Sequence, residues 1–248
     1  MAQSAKSRAE LDREQLTLEL GHVPAQGEDD FLVGEGNELA HGRIMAFPHW
    51  PDPITLVTGP AKSGKSHLAR IFADRSGALF AGIDDLEDLA AHGGTAPLIV
   101  EDVDQRAYDE AGLFHLLNQS LRELRPLLLT ARDDVSLWPL ATDDVRSRVR
   151  RATAFTLELT SDIQLSQMFV KLFRDRQVVV DPKIIAYLVA RMERSTEEVV
   201  ALADLMDRLA LAKGTAITRS IAADALNRRR LARGEAGTEQ DWDTEDDE

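Results

Sequence analysis

The 248-residue chain contains no cysteine. A disulfide framework and a thiolate-held metal are therefore excluded, which agrees with a cytoplasmic home. No apolar run approaches the ~20 residues that cross a bilayer, and Met1 to Leu20 lacks the continuous apolar segment of a signal peptide. Neither membrane contact nor export is expected. The six histidines are scattered, without the His-Glu-x-x-His spacing of a metal site. No internal repeat is visible. Basic charge is also in deficit, with 29 Lys and Arg against 43 Asp and Glu and a formal charge of −14. A duplex-binding protein carries the opposite balance, so strong direct DNA binding is not expected. The deficit is uneven, because Glu235 to Glu248 holds eight acidic residues and no basic one. Residues 234–248 are expected to be an acidic, disordered tail.

What is present is a 44% hydrophobic chain, long enough for one or two domains with a substantial core. Its organising stretch is Gly59-Pro60-Ala61-Lys62-Ser63-Gly64-Lys65-Ser66, a full match to G-x-x-x-x-G-K-[ST]. The apolar run Ile54–Val57 precedes it and a helical pattern from His67 to Asp74 follows. A strand, a glycine loop and a helix N-terminus in that order place backbone N–H groups and a helix dipole around a phosphate. Lys65 would reach the β- and γ-phosphates of ATP or ADP, and the Ser66 hydroxyl would face Mg²⁺. Taken alone, His67 reads as packing or polar surface.

Further strands are predicted at Ala78–Ala81, Leu98–Val100, Pro126–Thr130 and Phe155–Leu159, alternating with helices at Asp84–Ala91 and Tyr108–Leu124. The second helix is expected to bury Leu113, Leu116, Leu117, Leu121 and Leu124. This alternation implies a parallel sheet covered on both faces. The apolar strand Leu98–Val100 ends in Glu101-Asp102, followed by Val103-Asp104. That is where a phosphate-loop protein needs acidic groups, Glu101 toward Mg²⁺ and Asp102 toward an attacking water. After Ser161 only helices are expected. Ser161 with Gln164 and Ser195 with Glu198 form capping-box pairs, and helices at Lys183–Met192, Ser195–Ala212 and Thr218–Leu231 complete a small all-α unit.

The arm before the ordered chain carries Gln15-Leu16-Thr17-Leu18-Glu19-Leu20. The alternating leucines read either as an edge strand of the main domain or as a peptide ligand for another protein's groove. The hexapeptide resembles the bacterial sliding-clamp-binding motif, through Gln15, Leu16, Leu18 and Leu20.

The order of phosphate loop, acidic strand end, Thr130, Asp144-Val145-Arg146-Ser147-Arg148-Val149 and helical unit resembles an AAA+ ATPase. Phe31-Leu32-Val33-Gly34 with Asn37, Leu39, Ala40 and His41 is similar to the segment flanking the adenine pocket of the initiator DnaA. Gly64-Lys65-Ser66-His67-Leu68 is similar to the initiator's Gly-Lys-Thr-His-Leu, which assigns Gly59, Gly64, Lys65, Ser66 and His67 to the nucleotide. Beyond Arg233 this sequence carries the acidic stretch where the initiator carries a helix-turn-helix domain. With the clamp-like hexapeptide, that pattern resembles the Hda family, regulators held to the sliding clamp that stimulate ATP hydrolysis by DnaA.

The resemblance implies an α/β P-loop AAA+ fold, a parallel sheet flanked by helices with a small C-terminal all-α lid. The expected division is an arm at 1–30, the nucleotide domain at 31–159, the lid at 160–233 and the tail at 234–248. It further implies Arg148 as an arginine finger acting in trans, and Arg194, with Arg191 as the alternative, as the lid arginine touching phosphate. Homo-oligomerisation is left open. Three departures argue against strong self-catalysis: Glu101 then Asp102 instead of Asp then Glu, Thr130-Ala131-Arg132 without the usual polar pair, and Pro60 within the loop. An autonomous ATPase acting as a helicase loader or remodelling factor is the competing expectation.

Overall fold

In a computed structural model, residues 27–105, 110–158 and 161–234 are described. Leu16, Leu18, Leu20 and Gln15, the acidic stretch from Glu235 and the expected helix start at Tyr108 lie outside them.

Five short segments form one parallel sheet: β1 (Ile54–Thr58), β2 (Leu79–Phe80), β3 (Leu98–Val100), β4 (Leu127–Ala131) and β5 (Thr153–Thr156), in the order β2-β3-β4-β1-β5. The register sets Ile54 against Leu127 and Leu98 against the same Leu127, so β1, β3 and β4 start level, and the phosphate loop leaves the opposite, C-terminal edge of the sheet. Successive side chains point to opposite faces. Ile54, Leu56, Leu98, Val100, Leu127 and Leu129 enter one core with α3 (Leu86–His92), α4 (Glu110–Glu123) and α5 (Asp143–Val149). Val57, Ile99 and Leu128 enter the other with α1 (Glu38–Met45) and α2 (Lys65–Ser76). Both faces are thereby covered, as an all-parallel sheet requires.

The lid consists of α6 (Asp162–Asp175), α7 (Pro182–Val189), α8 (Thr196–Lys213) and α9 (Arg219–Ala232). It has its own core, running from Leu165 to Leu226. No described helix is long and apolar enough to cross a membrane.

Several local expectations need correction. The last strand starts at Thr153 rather than Phe155, because β5 is the sheet edge and alternates half-buried with exposed residues instead of forming an apolar run. Leu124 does not join the buried stripe of α4. It is 71% exposed at φ 55°, and Arg125, which precedes Pro126 and is steered out of helical geometry, donates its N–H back to the Ser120 carbonyl. The Ser161–Gln164 capping box closes in both directions. The second closes in one only. Ser195 accepts from the Glu198 N–H, while the buried Glu198 carboxylate pairs with Arg229 at 2.7 Å and Arg233 at 2.7 Å. Glu198 thus ties the C-terminal turn of α9 to the first turn of α8.

Candidate nucleotide-binding site

β1 delivers Gly59 into a tight loop that ends with Gly64 as the residue before α2. Gly59 has φ 147° and Gly64 φ 103°, conformations that L side chains rarely take. A Cβ on Gly59 would also stand 2.7 Å from the Leu157 carbonyl oxygen. The glycines of the motif are therefore a backbone requirement. Lys65 is 7% exposed, and its Nζ donates to the carbonyls of Gly59 at 2.6 Å and Pro60 at 2.8 Å. Burial lowers its pKa from the usual lysine value, opposed first by the charge of Asp102 and then by Asp104 and Glu101, while Arg132 adds to the lowering. The Ser66 side chain is exposed at the head of α2.

The acidic strand end is fixed by Thr130. The Thr130 hydroxyl accepts from the Asp102 N–H at 3.1 Å and its carbonyl from the Val103 N–H at 3.0 Å. Asp102 itself is held at φ 53°. Its charge bears on Lys65 more strongly than that of Glu101. Asp104, which sequence reasoning named without a role, accepts at Oδ2 from the N–H groups of Arg132 and Asp133, both at 2.8 Å. The Arg132 carbonyl in turn accepts from the Gly59 N–H at 3.3 Å. Asp104 therefore sets the loop after β4 against the first residue of the phosphate loop. Its signal was available as the third carboxylate of Glu101-Asp102-Val103-Asp104.

Asp104→Ala leaves two backbone donors without their acceptor. A loss of about 2–4 kcal/mol in unfolding free energy is expected, measured by urea denaturation against Asp104→Asn, which keeps one acceptor oxygen.

Ser63 Oγ, Glu101 Oε1 and Asp104 Oδ1 are buried with no hydrogen-bond partner. Oxygen donors of this kind suit Mg²⁺, which takes one or two protein ligands and completes its shell with phosphate and water. Among the described residues no cluster of three His, Cys, Asp or Glu could hold a metal by itself. Ser66 and Glu101 fit the ion only as partners of a nucleotide.

A cavity of ≈ 120 Å³ lies beside the loop, walled by Phe31, Asn37, Ser63, Gly64 and His67 on the sheet side and by Gln164 and Met168 of α6 on the lid side. Asn37 shapes this wall from within. Its Oδ1 accepts from the Gly34 N–H and its Nδ2 donates to the Leu32 carbonyl, both at 2.8 Å. His67 meets Phe31 edge-on at 5.1 Å and the Gly27 carbonyl at 2.8 Å, so it packs the pocket wall.

The lid reaches the loop through Thr196, which the sequence presented only as a residue after a cap. The hydroxyl is 2% exposed and donates to the Ala61 carbonyl at 2.9 Å. Arg194 lies two residues before this contact, and its guanidinium pairs with Asp162 at 2.9 Å. Arg191 stacks on Tyr187 at 4.4 Å, beside Arg219 on the same ring. Arg194 is closer along the chain to Thr196, the residue that meets the loop, than Arg191 is. Thr196→Val removes one buried hydrogen bond, worth about 1 kcal/mol, and is expected to speed nucleotide release by roughly fivefold. Stopped-flow chase of a fluorescent ADP measures this, and Thr196→Ser should restore the slow rate.

Arg148 projects from α5, far along the chain from the loop, with its guanidinium 5.8 Å from the Phe114 ring. Among the described residues it has no carboxylate partner. Arg146 differs, being bound to Asp143 at 2.7 Å and to the Trp138 carbonyl at 3.4 Å.

No protein-family model matches this sequence, and no curated protein does. Solved structures do resemble it. Domain III of the replication initiation protein DnaA from Thermotoga maritima superposes with a TM-score of 0.68 at 12% identity, covering 83% of this chain and 97% of that one. AMPPCP-bound DnaA from Aquifex aeolicus gives 0.62 at 17% identity, covering 87% of this chain and 71% of that one. The Holliday junction branch migration motor RuvB from Thermotoga maritima gives 0.65 at 14% identity, covering 86% and 75%. The chain accordingly has a DnaA-like AAA+ fold, a P-loop parallel sheet flanked by helices and followed by an all-α lid.

Proposed function

We propose that this protein is a regulatory AAA+ nucleotide-binding protein. It docks on the DNA polymerase sliding clamp through Gln15–Leu20 and promotes ATP hydrolysis by a DnaA-like initiator, restraining initiation of chromosomal replication in the cytoplasm. The observation that carries the reading is Arg148, a guanidinium supported by Phe114 on a DnaA-like fold and without a carboxylate partner among the described residues. A cation of this kind suits insertion beside the γ-phosphate of a neighbouring subunit. ADP or ATP with Mg²⁺ would be held by the phosphate loop, Lys65, Ser66 and Glu101, with His67 and Phe31 against the base. The bound nucleotide joins sheet domain to lid and so fixes the frame that carries Arg148.

The second reading, an autonomous ATPase such as a helicase loader or remodelling factor, is favoured by one feature. Thr130 fixes Asp102 at the end of β3, and its charge bears on the loop lysine, a place that suits a carboxylate orienting an attacking water. Turnover by the purified protein alone, abolished in Lys65→Ala, would establish it. The arm is tested by the rate of initiator ATP hydrolysis on clamp-loaded DNA. Gln15→Ala/Leu16→Ala is expected to lower stimulation by about tenfold, because it removes local concentration rather than chemistry. Equal stimulation by wild type and variant contradicts clamp docking.

A further inference from the structure

A groove of ≈ 680 Å³ lies between α6 and the extended segment at Phe31–Val33. Its solvent-facing walls are apolar. Leu32, Val33, Ile163 and Val170 are all exposed, Ile163 to 71% and Val170 to 54%. One bank also offers main chain, because the N–H and C=O of Val33 make no hydrogen bond among the described residues. Exposed aliphatic side chains beside a free backbone N–H and C=O are satisfied together by one kind of ligand. An extended peptide with alternating apolar residues puts its side chains into the groove and its backbone against the edge.

We propose that the occupant is this chain's own Gln15–Leu20, folded back in cis. Place is the first argument. The turn at Glu28–Asp30, through which the arm enters the domain, borders the groove, since Asp30 pairs with the groove residue Arg174 at 4.0 Å. Reach is the second. Six residues lie between Leu20 and Gly27, and the seven steps span at most about 25 Å, enough for a return to the groove. A tether this short gives an effective concentration on the order of millimolar, so the arm outcompetes any free peptide of equal intrinsic affinity. Pattern is the third. In extended form Leu16, Leu18 and Leu20 share one face, the arrangement that an apolar groove beside a backbone edge selects.

The contact has a regulatory consequence. Phe31, Leu32, Gln167 and Lys171 line both this groove and the nucleotide cavity. A docked arm backs the wall of the nucleotide site and slows release of nucleotide, and a partner that captures the arm reverses both effects. That consequence rests on the reading of Gln15–Leu20 as a partner-binding peptide. The cis contact does not.

Because the chain has no cysteine, the contact can be tested by cross-linking in the full-length protein. Thr17→Cys with Val170→Cys, at submicromolar protein and with a short bismaleimide, is expected to form an intramolecular link about tenfold faster than Thr17→Cys with Val179→Cys. Val179 is 91% exposed and does not line the groove. Adding Leu16→Asp/Leu18→Asp should return the rate to that of the control. Thr17→Cys with Ile163→Cys provides a second pair should the first fail to fold. Linking no faster than the control, or linking between two molecules, overturns the proposal. Neither the clamp nor the initiator enters the assay, so failure of the clamp reading and failure of the cis contact are separate results.

Discussion

Arg148→Ala is expected to abolish stimulation of the initiator's ATPase while leaving this protein folded and nucleotide-bound. A guanidinium delivered in trans beside a γ-phosphate is worth roughly 10³–10⁵ in rate, because it meets charge that develops only in the transition state. The substitution should cost little stability, since Arg148 makes a ring contact with Phe114 and no ion pair among the described residues. Arg148→Lys is expected to recover little of the loss, because an ammonium lacks the planar fork that bridges phosphate oxygens. Single-turnover hydrolysis of initiator-bound ATP, read alongside the variant's thermal midpoint, separates lost chemistry from lost folding. Arg146→Ala should behave in the opposite way, destabilising α5 through the lost Asp143 and Trp138 contacts with less direct effect on rate.

Lys65→Ala is expected to weaken nucleotide binding by about 100-fold or more. A buried ammonium to phosphate contributes charge-assisted hydrogen bonds of about 1.5–3 kcal/mol each. In the folded protein the same ammonium already holds the carbonyls of Gly59 and Pro60, so the variant also loosens the loop. Isothermal titration with ADP and Mg²⁺ measures the effect directly. A thermal-shift assay gives an independent reading: ligand at 100 times the wild-type Kd stabilises wild type by about 2.7 kcal/mol, and the variant at the same concentration should gain about 0.4 kcal/mol or less. The loss should carry over to initiator stimulation, because a nucleotide in the cavity lined by both sheet domain and lid would link the two.

The residues legible from sequence were those whose chemistry follows from local order. The phosphate loop declared itself because its glycines, lysine and serine are fixed by backbone geometry within eight residues. The central strands declared themselves because a parallel strand buried on both faces must be largely apolar, as β1, β3 and β4 are. Edge strand β5, half exposed, carried no such signal and was placed two residues late. α1 and α5 were missed for a related reason. α5 is only seven residues long and buries just Val145 and Val149, and α1 carries Gly42 in its interior, so neither shows a full apolar stripe.

Long-range polar contacts were invisible for a different reason. Nothing in sequence pairs Thr196 with Ala61, 135 positions apart, or Asp104 with the N–H groups of Arg132 and Asp133. Arg125 is similar: it is buried and ties the Ala96 carbonyl to Gln119, yet it reads in sequence as one more surface arginine. Glu198 shows the limit of motif reading most clearly. Its spacing from Ser195 matches a capping box, but Arg229 of α9 and Arg233 just past its end claim the carboxylate, since a pair of charge-assisted bonds outweighs one return bond to a backbone N–H.

The central claim is that hydrolysis occurs in the partner's pocket while this protein's own pocket anchors a nucleotide. The most direct measurement uses γ-labelled ATP preloaded on the initiator and unlabelled ADP on this protein. The two are mixed on clamp-loaded DNA under single-turnover conditions. The account predicts a burst of labelled phosphate with wild type and none above background with Arg148→Ala. Label that stays on the initiator with both proteins, while this protein alone turns over ATP in a Lys65-dependent manner, would contradict it.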